Sequence, residues 1–267
     1  MPAHVDSTNT STDTLPSRLS SVTTALLVLK AFSVEEPEQG ISAIAKKLGL
    51  AKSTVHRLAV TLASEGFLEQ NAQNGRYRLG LTVFELGTQV RQRMDVSSQS
   101  LPLLSQLRDQ TQEAVHLAVL SQTSIMYLYN LEGSRAIGIR SHIGARKPAF
   151  CTAEGRVLLA FESPDMVEAA LAEDRRPRTP KTVTDLRKLR QILAEVRHAG
   201  YAIDDEESEA DARSVAAPVR DATGKVIAAV GLAGPTRRLT KKELRTLLPM
   251  VLATADAVSQ RLGYRAS

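Results

Sequence analysis

The segment from Lys46 to Leu68, KKLGLAKSTVHRLAVTLASEGFL, constrains the fold of this 267-residue chain more than any other. Apolar residues recur at helical spacing on both sides of Gly49, which predicts a short helix, a left-handed turn and a second helix. The second helix opens on polar and basic side chains: Lys52, Ser53, Thr54, His56 and Arg57. Such a pair of helices is a helix-turn-helix, whose second helix enters the major groove of DNA with its N-terminal residues leading.

The surrounding residues predict a winged helix-turn-helix domain over residues 18–80. Apolar positions recur at helical spacing from Ser21 to Val34, which predicts a first helix. Ser42 is expected to cap the short second helix. The dipeptide Asn74-Gly75 separates two short runs and is a hairpin signal, so a two-stranded wing should follow the three helices.

The side chains at the start of the third helix suit contacts with DNA. The hydroxyls of Ser53 and Thr54 can donate to phosphates, and Arg57 can bond one guanine through two N–H groups. His56 lies beside Arg57, and Lys52 stands at the helix start, where free N–H groups also favour a phosphate. These five residues are therefore predicted to contact DNA.

The predicted wing adds Arg76 and Arg78, which are placed to touch the DNA backbone or the minor groove. Six basic and two acidic residues give residues 46–78 a net charge of +4 (6 − 2). The alternative is that Ser53 and Thr54 only cap the helix and that the basic side chains are merely solvated. The glycine turn, the short helix and the basic hairpin together favour DNA binding.

The rest of the chain predicts an amphipathic linker helix over residues 81–97 and an α+β domain over residues 98–267. Two apolar runs around a polar turn, residues 114–133, indicate one hairpin, and residues 214–235 indicate another. The run AIGIRSHIG is expected to form a further strand, and a closing helix should span Lys241 to Leu262. Strands that arrive in adjacent pairs predict an antiparallel sheet.

Composition argues against several other classes of protein. The single cysteine, Cys151, excludes an internal disulfide and metal sites built from cysteine pairs. The five histidines show no metal-ligand spacing, so neither a metal nor another cofactor is expected. No apolar run approaches the roughly 20 residues of a membrane span. Residues 1–17 lack the apolar core of a signal peptide and read as a disordered polar tail, which indicates a cytoplasmic protein.

Three segments resemble the IclR family of bacterial transcriptional regulators. Residues 41–80, ISAIAKKLGLAKSTVHRLAVTLASEGFLEQNAQNGRYRLG, resemble the family's DNA-binding domain. Residues 200–240 are similar to its effector-domain signature, and CTAEGRVLLA resembles its TA-x-G-[KR] helix start. The resemblance implies a ligand-responsive regulator, expected to repress catabolic genes, with a GAF-like effector-binding domain. It also implies a homodimer or homotetramer that binds a near-palindromic operator in double-stranded DNA.

The sequence also suggests where an effector binds. A helix that Thr152 caps should begin near Ala153, and its free N–H groups and positive dipole end favour a carboxylate. The resemblance places effector contacts at the backbone of Ala153 and Glu154, and at Asp204, Ser214, Gly231 and Ala233. Glu154 is expected to turn its side chain away, since its charge would repel a ligand carboxylate.

The small residues of this site lead to a prediction of ligand size. Small-carboxylate sensors of the family tend to have cysteine at the position of Ser214, and serines at those of Gly231 and Ala233. The hydroxyls missing here would cost a small polar acid on the order of 1 kcal/mol each, and the released space favours a bulkier ligand. An aromatic or other medium-sized carboxylate is therefore predicted.

Other interpretations of the same residues stay open. The acidic run from Asp204 to Glu207 is equally typical of a solvated surface. The small residues of the strands are equally typical of simple packing within a sheet. A hydrolase would need Cys151 as nucleophile with His142 or His116 as base. His116 lies in an apolar run and is expected to be a core side chain with its hydrogen bonds satisfied. A constitutive DNA-binding oligomer without a ligand is the remaining alternative.

Overall fold

The computed structural model describes residues 21–93, 95–134, 142–173 and 175–265. The chain divides into two compact units, with the boundary between Arg91 and Gln92. The predicted tail, residues 1–17, and most of the predicted strand AIGIRSHIG lie outside the described residues. The described end of that strand, residues 142–144, forms part of a turn.

The first unit is the predicted winged helix-turn-helix. Its elements in chain order are α1 (Ser21–Lys30), α2 (Ile41–Leu48), α3 (Lys52–Ser64), β1 (Leu68–Gln70), β2 (Tyr77–Leu79) and α4 (Leu81–Arg93). Strands β1 and β2 pair antiparallel and form the wing. Val28, Ile44, Val55 and Leu68 form the centre of its core, so each of the first three helices buries one apolar stripe.

Two helix boundaries differ from the sequence prediction. Helix α1 ends at Lys30 and does not reach Val34. Helix α2 begins at Ile41 because the Gly40 carbonyl already accepts from the N–H groups of Ala43 and Ile44. Gly40 is thus the N-cap and there is no side-chain cap, so the prediction that Ser42 caps this helix is wrong. The left-handed turn at Gly49 is confirmed, with φ at 66°.

The second unit is an antiparallel sheet between helices. Its elements are α5 (Asp95–Thr111), β3 (Ala114–Ser121), β4 (Ser124–Leu131), β5 (Arg146–Pro148), α6 (Ala153–Ala160), α7 (Pro164–Ala172), α8 (Leu186–Ala199), β6 (Ala202–Asp205), β7 (Ala212–Arg220), β8 (Val226–Pro235) and α9 (Lys241–Arg261). The six strands lie in the order β5-β4-β3-β8-β7-β6, and every neighbouring pair is antiparallel. The predicted α+β class and antiparallel sheet are confirmed.

The strand period of two separates the two faces of this sheet. Val215 and Ala217 of β7 join the cluster that holds Leu107 of α5 and Val251 of α9. Ala216, between them, joins the opposite cluster with Val157 of α6. Consecutive residues of a strand point to opposite faces, so the sheet is covered by helices on both sides.

Helix α5 starts earlier than predicted. It begins at Asp95, not near Leu101, so residues 95–97 of the predicted linker belong to the second unit. Val96 and Ser100 are buried one helical turn apart and continue the apolar face of this helix. Among the described residues, no helix combines the length and the apolar character that a membrane span needs.

Candidate DNA-binding surface and effector cavity

Helix α3 has one buried face and one exposed polar face. Val55 and Ala59 are fully buried against the core of the first unit. Lys52, Ser53, His56 and Arg57 are exposed, and Thr54 is half-buried. The apolar spacing of the sequence therefore turns the predicted DNA-contacting side chains away from the core of this unit.

The exposed basic side chains of α3 have no bonding partners among the described residues. Lys52, His56 and Arg57 form no side-chain hydrogen bond or ion pair with any described residue. The N-cap of α3 is Ala51, so neither Ser53 nor Thr54 caps the helix. The donors at the start of α3 remain available for a partner, and the alternative that these hydroxyls serve as caps is not what the structure shows.

The two arginines of the wing differ from each other. Arg78 donates from Nε to Glu69 Oε2 at 3.0 Å and also lies 4.0 Å from Glu38 Oε1. Glu38 accepts in addition from the side-chain amides of Asn71 and Asn74, and these hydrogen bonds hold the pKa of Glu38 below its ordinary value. Arg76 is exposed and has no such ion pair among the described residues. Of the two, Arg76 is the better available DNA contact.

A small cavity of about 20 Å³ lies in the second unit beside the start of α6. The predicted contacts Glu154, Asp204, Ser214 and Ala233 line it, whereas Ala153 and Gly231 do not. Thr152 caps α6 as predicted, accepting from the Gly155 N–H at 3.2 Å. A cavity of this size has room for about one water molecule.

The Glu154 side chain points into this cavity, so the prediction that it turns away is wrong. Its Oε1 lies 3.0 Å from His116 Nδ1, and both side chains are only 2% exposed. Burial acts to raise the pKa of Glu154, but the hydrogen bond from His116 outweighs it and holds that pKa below its ordinary value. The buried carboxylate is tolerated because it has this partner.

The inward turn of Glu154 also removes the space expected at Gly231. Gly231 pairs with His116 across strands β8 and β3, and a Cβ at this position would overlap Glu154 Oε1. The expectation that Gly231 leaves room for a bulky ligand is therefore wrong. Ser214 and Ala233 pair with each other on β7 and β8, and both line the cavity.

His116 is a core side chain, but its hydrogen bonds are only half satisfied. Its ring lines the cavity and packs 4.9 Å from the ring of Tyr127. Nδ1 is bonded to Glu154, whereas Nε2 is buried and has no hydrogen-bond partner among the residues that the structure describes. A buried polar atom without a partner costs free energy, so this nitrogen is a natural contact for a ligand.

The acidic run from Asp204 to Glu207 is not a solvated surface. Asp204 is 3% exposed and accepts from the N–H groups of Glu207 at 2.8 Å and Ser208 at 3.2 Å. Burial raises the pKa of Asp204 to about 6. Glu207 binds Arg156 through both carboxylate oxygens, at 2.7 and 2.6 Å. These residues are structural, and Asp204 in addition faces the cavity.

The environment of Cys151 argues against a nucleophile. The thiol is fully buried in a cluster with Phe150, Leu171 and Leu189. Burial raises its pKa to about 12, so little reactive thiolate forms near neutral pH. His142, one of the two candidate bases, is exposed.

Both units match known protein families. Residues 21–72 match the IclR helix-turn-helix domain, and residues 88–260 match the C-terminal domain of bacterial transcriptional regulators of the IclR type. The chain is 33% identical over 257 residues to the HTH-type transcriptional regulator KdgR of Escherichia coli, covering 96% of this chain and 97% of that protein. It is 36% identical to XynR of the same organism, another HTH-type transcriptional regulator, covering 93% and 99%.

A solved structure agrees with these matches. The crystal structure of an IclR homolog from Microbacterium hydrocarbonoxydans, complexed with 4-hydroxybenzoate, has a TM-score of 0.83 at 28% identity. The match covers 91% of this chain and 99% of that one. With both family matches and two relatives above 30% identity, the chain belongs to the IclR family of bacterial DNA-binding transcriptional regulators.

Proposed function

We propose that this protein binds a near-palindromic operator in double-stranded DNA, represses neighbouring catabolic genes in the cytoplasm and responds to a small effector. The observation that carries the proposal is the exposed start of α3, where Lys52, His56 and Arg57 have no partner within the described chain. A twofold dimer would place two such helices in major grooves about 34 Å apart, or a multiple of that.

Binding of the DNA upstream of the protein's own gene tests this proposal. Fluorescence anisotropy should show tight, salt-dependent binding to that DNA and much weaker binding to a scrambled duplex of equal length. Equal affinity for both duplexes would contradict the proposal.

Two substitutions on α3 should have different effects on operator binding. Arg57→Ala should weaken specific binding by about 1–3 kcal/mol and relax the preference at one base pair. Lys52→Ala should weaken binding to all sequences alike and reduce the salt slope by about one, because it removes a phosphate contact. Anisotropy titrations on a set of operator variants measure both effects. Arg190→Ala, an arginine of the second unit, is the control and should change neither.

The exposed apolar residues of the first unit support a dimer. On α4, Leu81 is 71% exposed, Phe84 68% and Val90 61%, and on α1 Val22 is 70% exposed. Exposed apolar patches of this kind are typical of protein–protein interfaces. We propose that these residues form a contact between the two protomers of a homodimer. Two such dimers can associate into a homotetramer.

Phe84→Glu should therefore halve the mass of the assembly in sedimentation analysis. A buried charge without a partner is costly, so the contact through α4 should be lost and operator affinity should fall with it. Ile143→Glu, at a position 62% exposed in the second unit, is the matched control and should leave the mass unchanged. An unchanged mass for Phe84→Glu would exclude α4 from the interface.

We propose that the effector binds in the cavity beside α6, with contacts to Glu154, Asp204, Ser214 and Ala233. A ligand larger than one water molecule requires these side chains to move apart, because the cavity holds only about 20 Å³. The homolog that holds 4-hydroxybenzoate supports a small-molecule effector for this chain. Operator affinity that no ligand changes would favour the alternative of a constitutive DNA-binding oligomer.

A further inference from the structure

The anion position expected at the start of α6 is filled by the protein itself. Glu154 is the second residue of α6; its carboxylate accepts from His116, and its own backbone N–H also lowers the pKa of this carboxylate. A negative group at a helix N-terminus is favoured by the free N–H groups and the helix dipole. A ligand carboxylate would compete with Glu154 for the same place.

The hydrogen bond between Glu154 and His116 fixes which nitrogen of the ring carries a proton. An ionised carboxylate only accepts hydrogen bonds, so Nδ1 must be the donor. The other ring nitrogen, Nε2, is buried without a hydrogen-bond partner among the described residues. A hydroxyl both donates and accepts, so it can bond Nε2 whether or not this nitrogen carries a proton, whereas a carboxylate can only accept.

The charges around the cavity also disfavour a carboxylate. Glu154 and Asp204 both line the cavity and are both buried. The two cations of the lining already have partners, since Lys147 binds Glu209 at 3.2 Å and Arg213 binds Asp205 at 2.6 Å. An incoming anion would meet three carboxylates, those of Glu154, Asp204 and Glu209, and no lysine or arginine of this lining that lacks an ion pair.

The lining offers a second place for a neutral hydroxyl. Ser214 is 8% exposed, and its hydroxyl forms no hydrogen bond with the described residues. A hydroxyl both donates and accepts, so it can bond a second hydroxyl of the same ligand. The ring nitrogen Nε2 of His116 and the hydroxyl of Ser214 together match an alcohol or a polyol.

We infer that Glu154 and His116 determine ligand specificity: they make the cavity select a neutral hydroxylated molecule, an alcohol or a polyol, over a carboxylate of similar size. This inference rests on the proposed role of the cavity as the effector site. It replaces the carboxylate that the sequence predicts with a ligand whose hydroxyl bonds the His116 ring.

Calorimetry with matched pairs of alcohol and acid tests this inference on the full chain. The pairs are glycerol and glycerate, propane-1,2-diol and lactate, and benzyl alcohol and benzoate. We expect the alcohol of at least one pair to bind at least about tenfold tighter than its acid.

Glu154→Gln then tests the role of the carboxylate. The amide keeps the shape of the side chain and removes its charge, so the preference for the alcohol should fall about tenfold or reverse. Glu168→Gln makes the same chemical change on the exposed helix α7 and should leave the preference unchanged. If Glu154→Gln does not fold, the ranking of the pairs by the wild-type protein still decides.

Three results would overturn the inference: tighter binding of the acid in every pair that binds, no binding of any of the six compounds, or an unchanged preference in Glu154→Gln.

Operator binding is measured on the same preparation by anisotropy. If the wild-type protein does not recognise the operator, the proposed function is refuted, whichever ligand the cavity binds more tightly. Normal operator recognition with a preference for acids would refute only the inference about the ligand.

Discussion

Arg156→Ala should lower the free energy of unfolding of the second unit by about 3–5 kcal/mol, because it leaves the Glu207 carboxylate, which is only 13% exposed, without its charged partner. The Arg156 side chain is 3% exposed and holds Glu207 through two hydrogen bonds of 2.7 and 2.6 Å. Its Nε also donates to the Phe150 carbonyl at 3.0 Å. Its Nη1 donates in addition to the Ile203 carbonyl at 3.3 Å, so alanine would remove all four bonds at once.

Urea unfolding followed by tyrosine fluorescence measures this loss. The chain has no Trp, and four of its five tyrosines lie in residues 92–267, so the signal reports mainly on the second unit. Arg190→Ala is the control, because it breaks an ion pair of similar distance, 2.7 Å between Arg190 and Glu168. The Arg190 side chain is 47% exposed and the Glu168 side chain 54%. That control should cost only about 0–1 kcal/mol. Equal losses for both variants would show that burial of the Arg156 pair is unimportant.

Gly155→Ala should lower the free energy of unfolding by about 3 kcal/mol, the upper end of what overpacking a core usually costs. A Cβ at Gly155 would overlap the carbonyl oxygen and the Cα of Ala149, and these backbone atoms cannot rotate aside as a side chain can. The steric cost exceeds the gain of about 0.5–1 kcal/mol that alanine brings to a helix interior.

Gly87→Ala is the matched control for this substitution. Gly87 also lies inside a helix, α4, but nothing lies within 4 Å of a Cβ placed there. The same exchange should therefore stabilise α4 by about 0.5–1 kcal/mol. Circular dichroism melts of the two variants should shift in opposite directions, and a shared direction would contradict the packing argument.

Local sequence signals were sufficient to predict the winged helix-turn-helix. Helix α3 spans Lys52–Ser64, as its apolar spacing predicts, and the Gly49 turn and the wing lie at the predicted positions. The cap of α6 at Thr152 was predicted from a local signal in the same way. These features depend on residues a few positions apart, and such residues determine helix ends and turns.

Contacts between distant residues could not be predicted in this way. Glu154 contacts His116, which lies 38 positions away in the sequence. Arg156 contacts Glu207, at a separation of 51 positions. A single sequence does not reveal such pairs, and so the inward turn of Glu154 was missed. One local signal was available: the segment AEGRVLLA is too apolar for a surface helix, and a helix apolar on most sides is buried. Its two charged residues therefore needed partners inside the protein.

All eight residues of α6 are buried, so this helix is enclosed along its whole length. Protein interiors are close-packed and compress little, so α6 should move as one rigid body when a ligand enters the cavity. A displacement of Glu154 at its N-terminal end would then also shift its C-terminal end, where the Ala160 carbonyl accepts from Arg197 Nε of α8. Helix α8 would therefore respond to a ligand although none of its residues lines the cavity.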